Sequence, residues 1–205
     1  MRWWLCGLLL MASADVRAGE VFLIPENNPK PVYPVALYRA GVIGMVRVSL
    51  TVQADGSVSN AVILEDNAHP ELAEASLAAV NRWRFKPWKI TEVQPAQVIV
   101  IAPMNFRLDS EHSFHVNKEL ERLKCSAIAR ASLNIATSSW VDLPVFSWTR
   151  SYLTHSLSPT QLPEEKRLAL IAKLNASVHS IVQRCNLHPA SRYVRFLPEE
   201  IRVLL

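Results

Sequence analysis

Glycine is scarce in this sequence, with five among 205 residues. No glycine-rich nucleotide fingerprint is present, and neither is a P-loop, a GxSxG or an HExxH pattern. Cysteine is scarcer still: Cys6, Cys125 and Cys185 form no CxxC redox pair, and zinc would need further ligands. The formal charge of +4 permits contact with acidic surfaces, but no run of Lys and Arg marks a nucleic-acid partner. The nearest approach is Arg82, Arg84, Lys86 and Lys89 around Trp83 and Trp88, which reads as a strand with alternate residues in solvent. Histidine offers His112 and His115 at a spacing of i, i+3, with His155, His179 and His188 scattered; these read as solvated or packed rings. The sequence therefore assigns no catalytic residue, no metal and no cofactor, and predicts a protein that is not an enzyme.

Half of the residues are hydrophobic and a fifth are charged, the composition of a globular chain. The length suits one sizeable domain or two small ones. The start reads as an export signal over residues 1–18: Arg2, an apolar run from Trp3 to Ala14, then Val16-Arg17-Ala18 before Gly19. A helix of that run would span ~18 Å, against roughly 30 Å of hydrocarbon. The alternative is a short inner-membrane anchor that leaves the rest in the periplasm. Cleavage would take Cys6 away and leave Cys125 and Cys185, which are expected to pair as a disulfide; two buried thiols are the alternative.

Residues 19–30 read as a lead-in, with Val21 to Ile24 as a short strand and prolines at 25, 29 and 31 keeping the chain extended. Tyr33-Pro34 opens a short helix that Gly41 closes. From Met45 to Gln53 apolar and polar residues alternate without a fault, the period of a half-buried strand. Asp55-Gly56 predicts a tight hairpin turn into a second strand, Val58 to Glu65, whose alternation slips at Asn60-Ala61 and predicts a bulge. A helix follows from Pro70 to Asn81 with Leu72, Ser76, Ala79, Val80 and Trp83 on one face, then a short extended segment through Phe85 to Pro87. Ala96 to Leu108 reads as a third strand. Pro103 would remove a ladder hydrogen bond from a central strand, so this one belongs at an edge or a bulge. An edge carries unpaired backbone groups and recruits strands from other chains.

Residues 109–205 read as a mostly helical domain. The expected elements are a helix from His115 to Ala136, a loop-like region from Ser138 to Pro159, and a helix after Pro163. A strand at Tyr193 to Leu197 and a final turn complete it. Trp140, Phe146, Trp148 and Tyr152 read as its core, with a partner surface as the alternative.

Tyr33-Pro34, Gly44, Asp55-Gly56, the Leu72 to Val80 helix, Trp83, Phe85, Pro87 and the Pro103 to Leu108 segment together resemble the C-terminal domain of TonB-family energy transducers. The resemblance covers residues 31–108. It implies an α+β fold: a small ββαβ unit, here followed by the helical domain. It also implies a periplasmic protein that pairs a strand with the TonB-box-like strand of an outer-membrane receptor or another envelope protein, serving energy-dependent transport across the outer membrane. The residues it points to for pairing are Gln97, Val98, Ile99, Val100 and Ile101, with Asn105, Phe106 and Arg107 beyond them. The motif residues themselves would maintain the fold. The family's Pro-rich spacer has no counterpart between Gly19 and Lys30, so the expectation does not extend to inner-membrane motor proteins. The rival expectation is an envelope assembly protein that pairs with itself at the same edge as a homodimer.

Overall fold

The computed structural model describes residues 21–65, 68–108 and 116–205. The expected export signal at residues 1–18, Cys6, His112 and His115 lie outside them. Among the described residues no helix is long and apolar enough to cross a membrane.

The chain is α+β. Three antiparallel strands form the main sheet in the order β3-β2-β5, with β2 at Gly44–Gln53, β3 at Val58–Glu65 and β5 at Gln97–Phe106. The central strand is the one with unbroken alternation. Val46, Val48, Leu50 and Val52 are wholly buried under α2 (Pro70–Val80), which contributes Leu72 and Val80 to the same cluster. Leu37 of α1 (Val35–Ala40), Phe85, Ala102, Met104 and Phe106 complete this core.

Two expectations for this half need correction. The lead-in strand is β1 at Pro25–Asn27 rather than Val21 to Ile24, and it pairs antiparallel with β4 at Arg84–Phe85. The hairpin after β2 is not a two-residue turn with two positive φ angles. Only Gly56 is left-handed, at φ 82°. Gly56 N–H donates to Gln53 O at 2.8 Å and Gln53 N–H to Ser57 O at 2.9 Å, which closes a three-residue loop. Asp55 Oδ1 accepts from Ser57 N at 2.8 Å and Ser57 Oγ at 2.6 Å, and these bonds hold the Asp55 carboxyl below its usual range.

The helical half packs around a second cluster made by α3 (Val116–Arg122), α4 (Cys125–Ser132), α5 (Pro144–His155) and α6 (Glu164–Leu187). Cys125 and Cys185 are joined as a disulfide inside it, both wholly buried. The expected helix from His115 to Ala136 is interrupted: Lys124 is extended and bridges Arg192, so α4 restarts in a new phase that buries Cys125 and Ile128. The region read as a loop is a 3-10 turn (Thr137–Asp142) followed by α5. Its aromatics serve the core, with Phe146 and Tyr152 buried and Trp140 and Trp148 packed against them. Tyr193–Phe196 is a 3-10 turn, not a strand, and α7 (Glu199–Arg202) ends the chain.

The two clusters meet at α1. Arg39 makes a two-pronged ion pair with Asp142, Nε to Oδ1 at 2.8 Å and Nη2 to Oδ2 at 2.5 Å. Asn175 Nδ2 donates to Arg39 O at 2.8 Å, and the Tyr38 and Ser147 hydroxyls are hydrogen-bonded.

Candidate functional site

The outer edge of β5 is the feature to test, because sheet edges carry unpaired donors and acceptors. Which groups face outward follows from one hydrogen bond. Ala54 N–H donates to Ala96 O at 2.8 Å, so Ala96 turns its backbone groups toward the β2 side. Along a strand these groups alternate in direction. Register with β2 is continuous from Gly44↔Phe106 to Gln53↔Gln97. Val98, Val100, Ala102, Met104 and Phe106 therefore spend their backbone groups on β2. Gln97, Ile99, Ile101, Pro103 and Asn105 turn theirs outward, where no other described strand pairs with them.

Pro103 falls in the outward set, opposite Arg47. Its missing N–H is thus absent from the free edge, not from the ladder, which is why a proline is tolerated in this strand. It also divides the edge. Between Gln97 and Ile101 every outward residue offers both a donor and an acceptor; at Pro103 the donor is missing, and the next one outward is Asn105.

Side chains follow the same alternation. Ile99 and Ile101 stand on the open face of the sheet with 71% and 48% of their surfaces exposed, whereas Phe106 is buried in the core. Asn105 and Arg107 lie beyond the uninterrupted edge. They border a groove of about 320 Å³ with Lys30, Pro31 and Tyr33, and a second of about 310 Å³ with Ile43, Gly44 and His155. Of the eight residues that the sequence pointed to for pairing, the structure turns the backbones of Gln97, Ile99, Ile101 and Asn105 to the free edge. It turns Val98, Val100 and Phe106 to β2 and leaves Arg107 just past the strand.

The opposite edge, on β3, is different. Its register with β2 shifts twice, between Arg47 and Val48 and between Ser49 and Thr51, and Asn60 adopts φ 49°. The bulge expected at Asn60-Ala61 is there. Bulges twist an edge and break the even spacing that an incoming strand needs, so β3 is blunted and β5 is not.

The motif residues named above make their contacts within the sheet domain. Tyr33 donates its hydroxyl to Val42 O and stacks edge-on against Phe106 at 5.3 Å; burial pushes its pKa up to about 12. Pro34 precedes α1. A Cβ on Gly44 would press on Leu72 and Ala68 at 3.2 and 3.3 Å. Trp83 Nε1 donates to Pro29 O at 3.0 Å, which ties the lead-in to the end of α2. Phe85 N–H donates to Gly56 O at 2.9 Å, and Pro87 follows where Lys86 N–H reaches Ile24 O at 2.9 Å. His155, His179 and His188 fall on different neighbours: His155 beside Leu108 O, His179 stacked on Trp140, and His188 stacked on Phe196.

Residues 29–108 match the family model described as Gram-negative bacterial TonB protein C-terminal. Protein TonB of Xanthomonas campestris pv. campestris is 33% identical over 96 residues, 47% of this chain and 42% of that protein. Protein tonB2 of Pseudomonas aeruginosa is 32% identical over 83 residues, 40% of this chain and 30% of that protein. The chain thus spans less than half the length of these relatives. The solution NMR structure of the Pseudomonas aeruginosa TonB CTD aligns with 44% of this chain and 90% of its own, at 22% identity and a TM-score of 0.38.

Proposed function

We propose, from the match of residues 29–108 to the TonB C-terminal family model, that this protein acts in the periplasm by capturing a partner's extended strand along β5. The partner is the TonB-box-like strand of an outer-membrane receptor or another envelope protein, and the role is in energy-dependent transport across the outer membrane. The observation that carries the reading is the uninterrupted run of outward donors and acceptors at Gln97, Ile99 and Ile101, ended by Pro103. Main-chain pairing supplies affinity and needs no catalytic group, so the reading is non-enzymatic. Ile99 and Ile101 would select apolar side chains at alternate positions of the incoming strand. In this reading residues 31–108 are the binding domain and 109–205 a helical domain docked on α1.

The discriminating experiment uses the phase of the strand. Ile99→Pro removes an outward donor at the same phase as the natural Pro103 and spares the β2 ladder. It is expected to abolish retention of a receptor's periplasm-facing peptide while the melting transition stays cooperative. Val100→Pro strikes the inner ladder and is expected to unfold the sheet. Normal peptide retention by the folded Ile99→Pro protein would sink strand addition.

A second reading rests on the symmetry of the same three residues. Two copies can pair antiparallel about Ile99, Gln97 of each facing Ile101 of the other, which would make the edge a homodimer contact in an envelope assembly. Sedimentation that shows a concentration-dependent dimer, lost in Ile99→Pro, favours this reading. A monomer that still retains the peptide favours the first.

A further inference from the structure

Between Glu121 and Glu199 the only acids are Asp142, Glu164 and Glu165. Asp142 is held by Arg39, and Glu164 by Arg167 at 3.3 Å. The disulfide joins two acid-free stretches, placing Lys124 and Arg184, each next to its cysteine, at one end of the helical bundle. The chain then turns back on itself. Ser126 N–H donates to Pro189 O at 2.9 Å, Cys125 N–H to Ser191 O at 2.8 Å, and Lys124 bridges Arg192. Arg195 lies one 3-10 turn beyond Arg192. Lys124, Arg184, Arg192 and Arg195 are all exposed, and none has an ion pair among the described residues. At the turn itself Leu187 holds 76% of its surface in solvent, one helical turn after Arg184.

We infer that this disulfide-stapled end is a docking surface for an anionic phospholipid bilayer. The four cations would lie among the headgroups, and Leu187 would enter the acyl boundary beside them. Like charges held together by a covalent staple repel one another, and an anionic surface relieves that repulsion. The protruding leucine separates a bilayer from a soluble polyanion: lipid offers apolar depth at the interface, whereas nucleic acid offers only a charged surface. None of these residues belongs to β5, so the surface does not depend on strand capture.

The test measures partitioning of the full chain onto vesicles of phosphatidylcholine with and without phosphatidylglycerol, at low salt. Taking the ratio of the two partition coefficients cancels any uptake by residues 1–20 that ignores lipid charge. The wild-type ratio is expected to be well above one and to collapse as salt screens the surface. Arg192→Gln with Arg195→Gln is expected to lower it roughly thirtyfold, at about a fivefold factor for each basic residue near the surface. Leu187→Ser is expected to weaken anionic-vesicle binding by roughly tenfold through lost apolar burial. Both variants replace exposed side chains, and an unchanged melting curve verifies their fold. A wild-type ratio near one, or a ratio unmoved by the double Gln variant, overturns the inference. Unchanged vesicle binding by Leu187→Ser with tight binding to duplex DNA overturns it in favour of a soluble polyanion.

Discussion

Arg167 of α6 donates from Nη1 to the carbonyl oxygen of Gly41 at 2.6 Å, and this hydrogen bond fastens the helical bundle to the sheet domain. The carbonyls at the end of α1 have no partner within their own helix. A cation is the best donor there, because the helix dipole leaves partial negative charge at that end. Gly41 is forced by the same contact. It is left-handed at φ 73°, and a Cβ would fall 2.4 Å from Ile171 Cδ1. Arg167→Met leaves a buried carbonyl unpaired and should cost about 1–3 kcal/mol. Gly41→Ala adds left-handed strain of roughly 1–2 kcal/mol and a clash with a buried side chain. Urea unfolding of both variants checks this, and the double variant should lose less than the sum, because both disturb the seating of α6 on α1, while the left-handed strain still adds in full.

Arg150 gives the opposite expectation. It is wholly buried, with Nη1 donating to Val141 O and Asn175 Oδ1 at 3.1 Å each and its guanidinium 5.9 Å above the Tyr38 ring. Its Nε and Nη2 have no partner among the described residues, and burial lowers its pKa. A buried cation without a carboxylate is weakly compensated, and an apolar replacement of similar volume is often neutral or better. Arg150→Met should therefore cost less than Arg167→Met in the same urea series, by at least about 1 kcal/mol.

The sheet was legible because its core residues are apolar at every second position: Val46 to Val52 show it on β2, and Leu72, Ala79 and Val80 show the helical equivalent on α2. Proline in the third strand also announced an edge. The same residue carried a finer signal that went unread: a proline inside a paired strand must point its missing N–H outward, which assigns Gln97, Ile99 and Ile101 to the free edge without coordinates. Helix α5 was missed for a chemical reason. Its wholly buried stripe is Phe146, Thr149, Arg150 and Leu153, and two of those four are polar residues that a hydropathy pattern assigns to solvent. Thr149 is there to bond the Tyr193 hydroxyl at 2.9 Å and Arg150 to cap neighbouring carbonyls. The break between α3 and α4 was equally hidden, since the bridge from Lys124 to Arg192 spans most of the domain's sequence.

Gly56 should be the least tolerant position of the hairpin. Its φ of 82° disfavours any side chain, and a Cβ would lie 1.8 Å from Phe85 O, a backbone atom that cannot rotate away. Gly56→Ala must therefore undock the turn from β4 and break the bond from Phe85 N–H to Gly56 O. Expected losses exceed the roughly 1–2 kcal/mol of left-handed strain alone. Thermal melting reads the loss. Asp55→Ala, which removes only exposed bonds to Ser57, should be much milder.

Reduction of the Cys125–Cys185 bond, across a separation of 60 residues, should cost about 4 kcal/mol in the chain-entropy model. The loss should concentrate in the helical bundle, because both sulfurs lie in its core and none of the sheet-core residues touches them. Hydrogen exchange with and without reductant would show it: protection in α4 and α6 should fall first, with β2 retaining its own. Equal loss in β2 would mean that the two cores unfold as one unit.

Acid should weaken the junction between the sheet and the bundle through His155. Its Nε2 lies 3.1 Å from Leu108 O, at the point where β5 hands over to the helical half. Burial lowers its pKa; the bond to Leu108 opposes this, and Arg107 and Arg167 add to the lowering. The unfolded chain, with an ordinary histidine pKa of about 6.5, then takes up a proton before the folded chain does. Above about pH 6.5 both states are neutral and His155 adds no slope. As pH falls below that value, proton uptake favours the unfolded state, and stability drops until the folded pKa is also passed. Unfolding free energies at about pH 8 and about pH 5 should therefore differ more in the wild type than in His155→Gln, which still donates a side-chain N–H but cannot titrate. An identical acid loss in the two proteins would remove His155 from the junction's pH response.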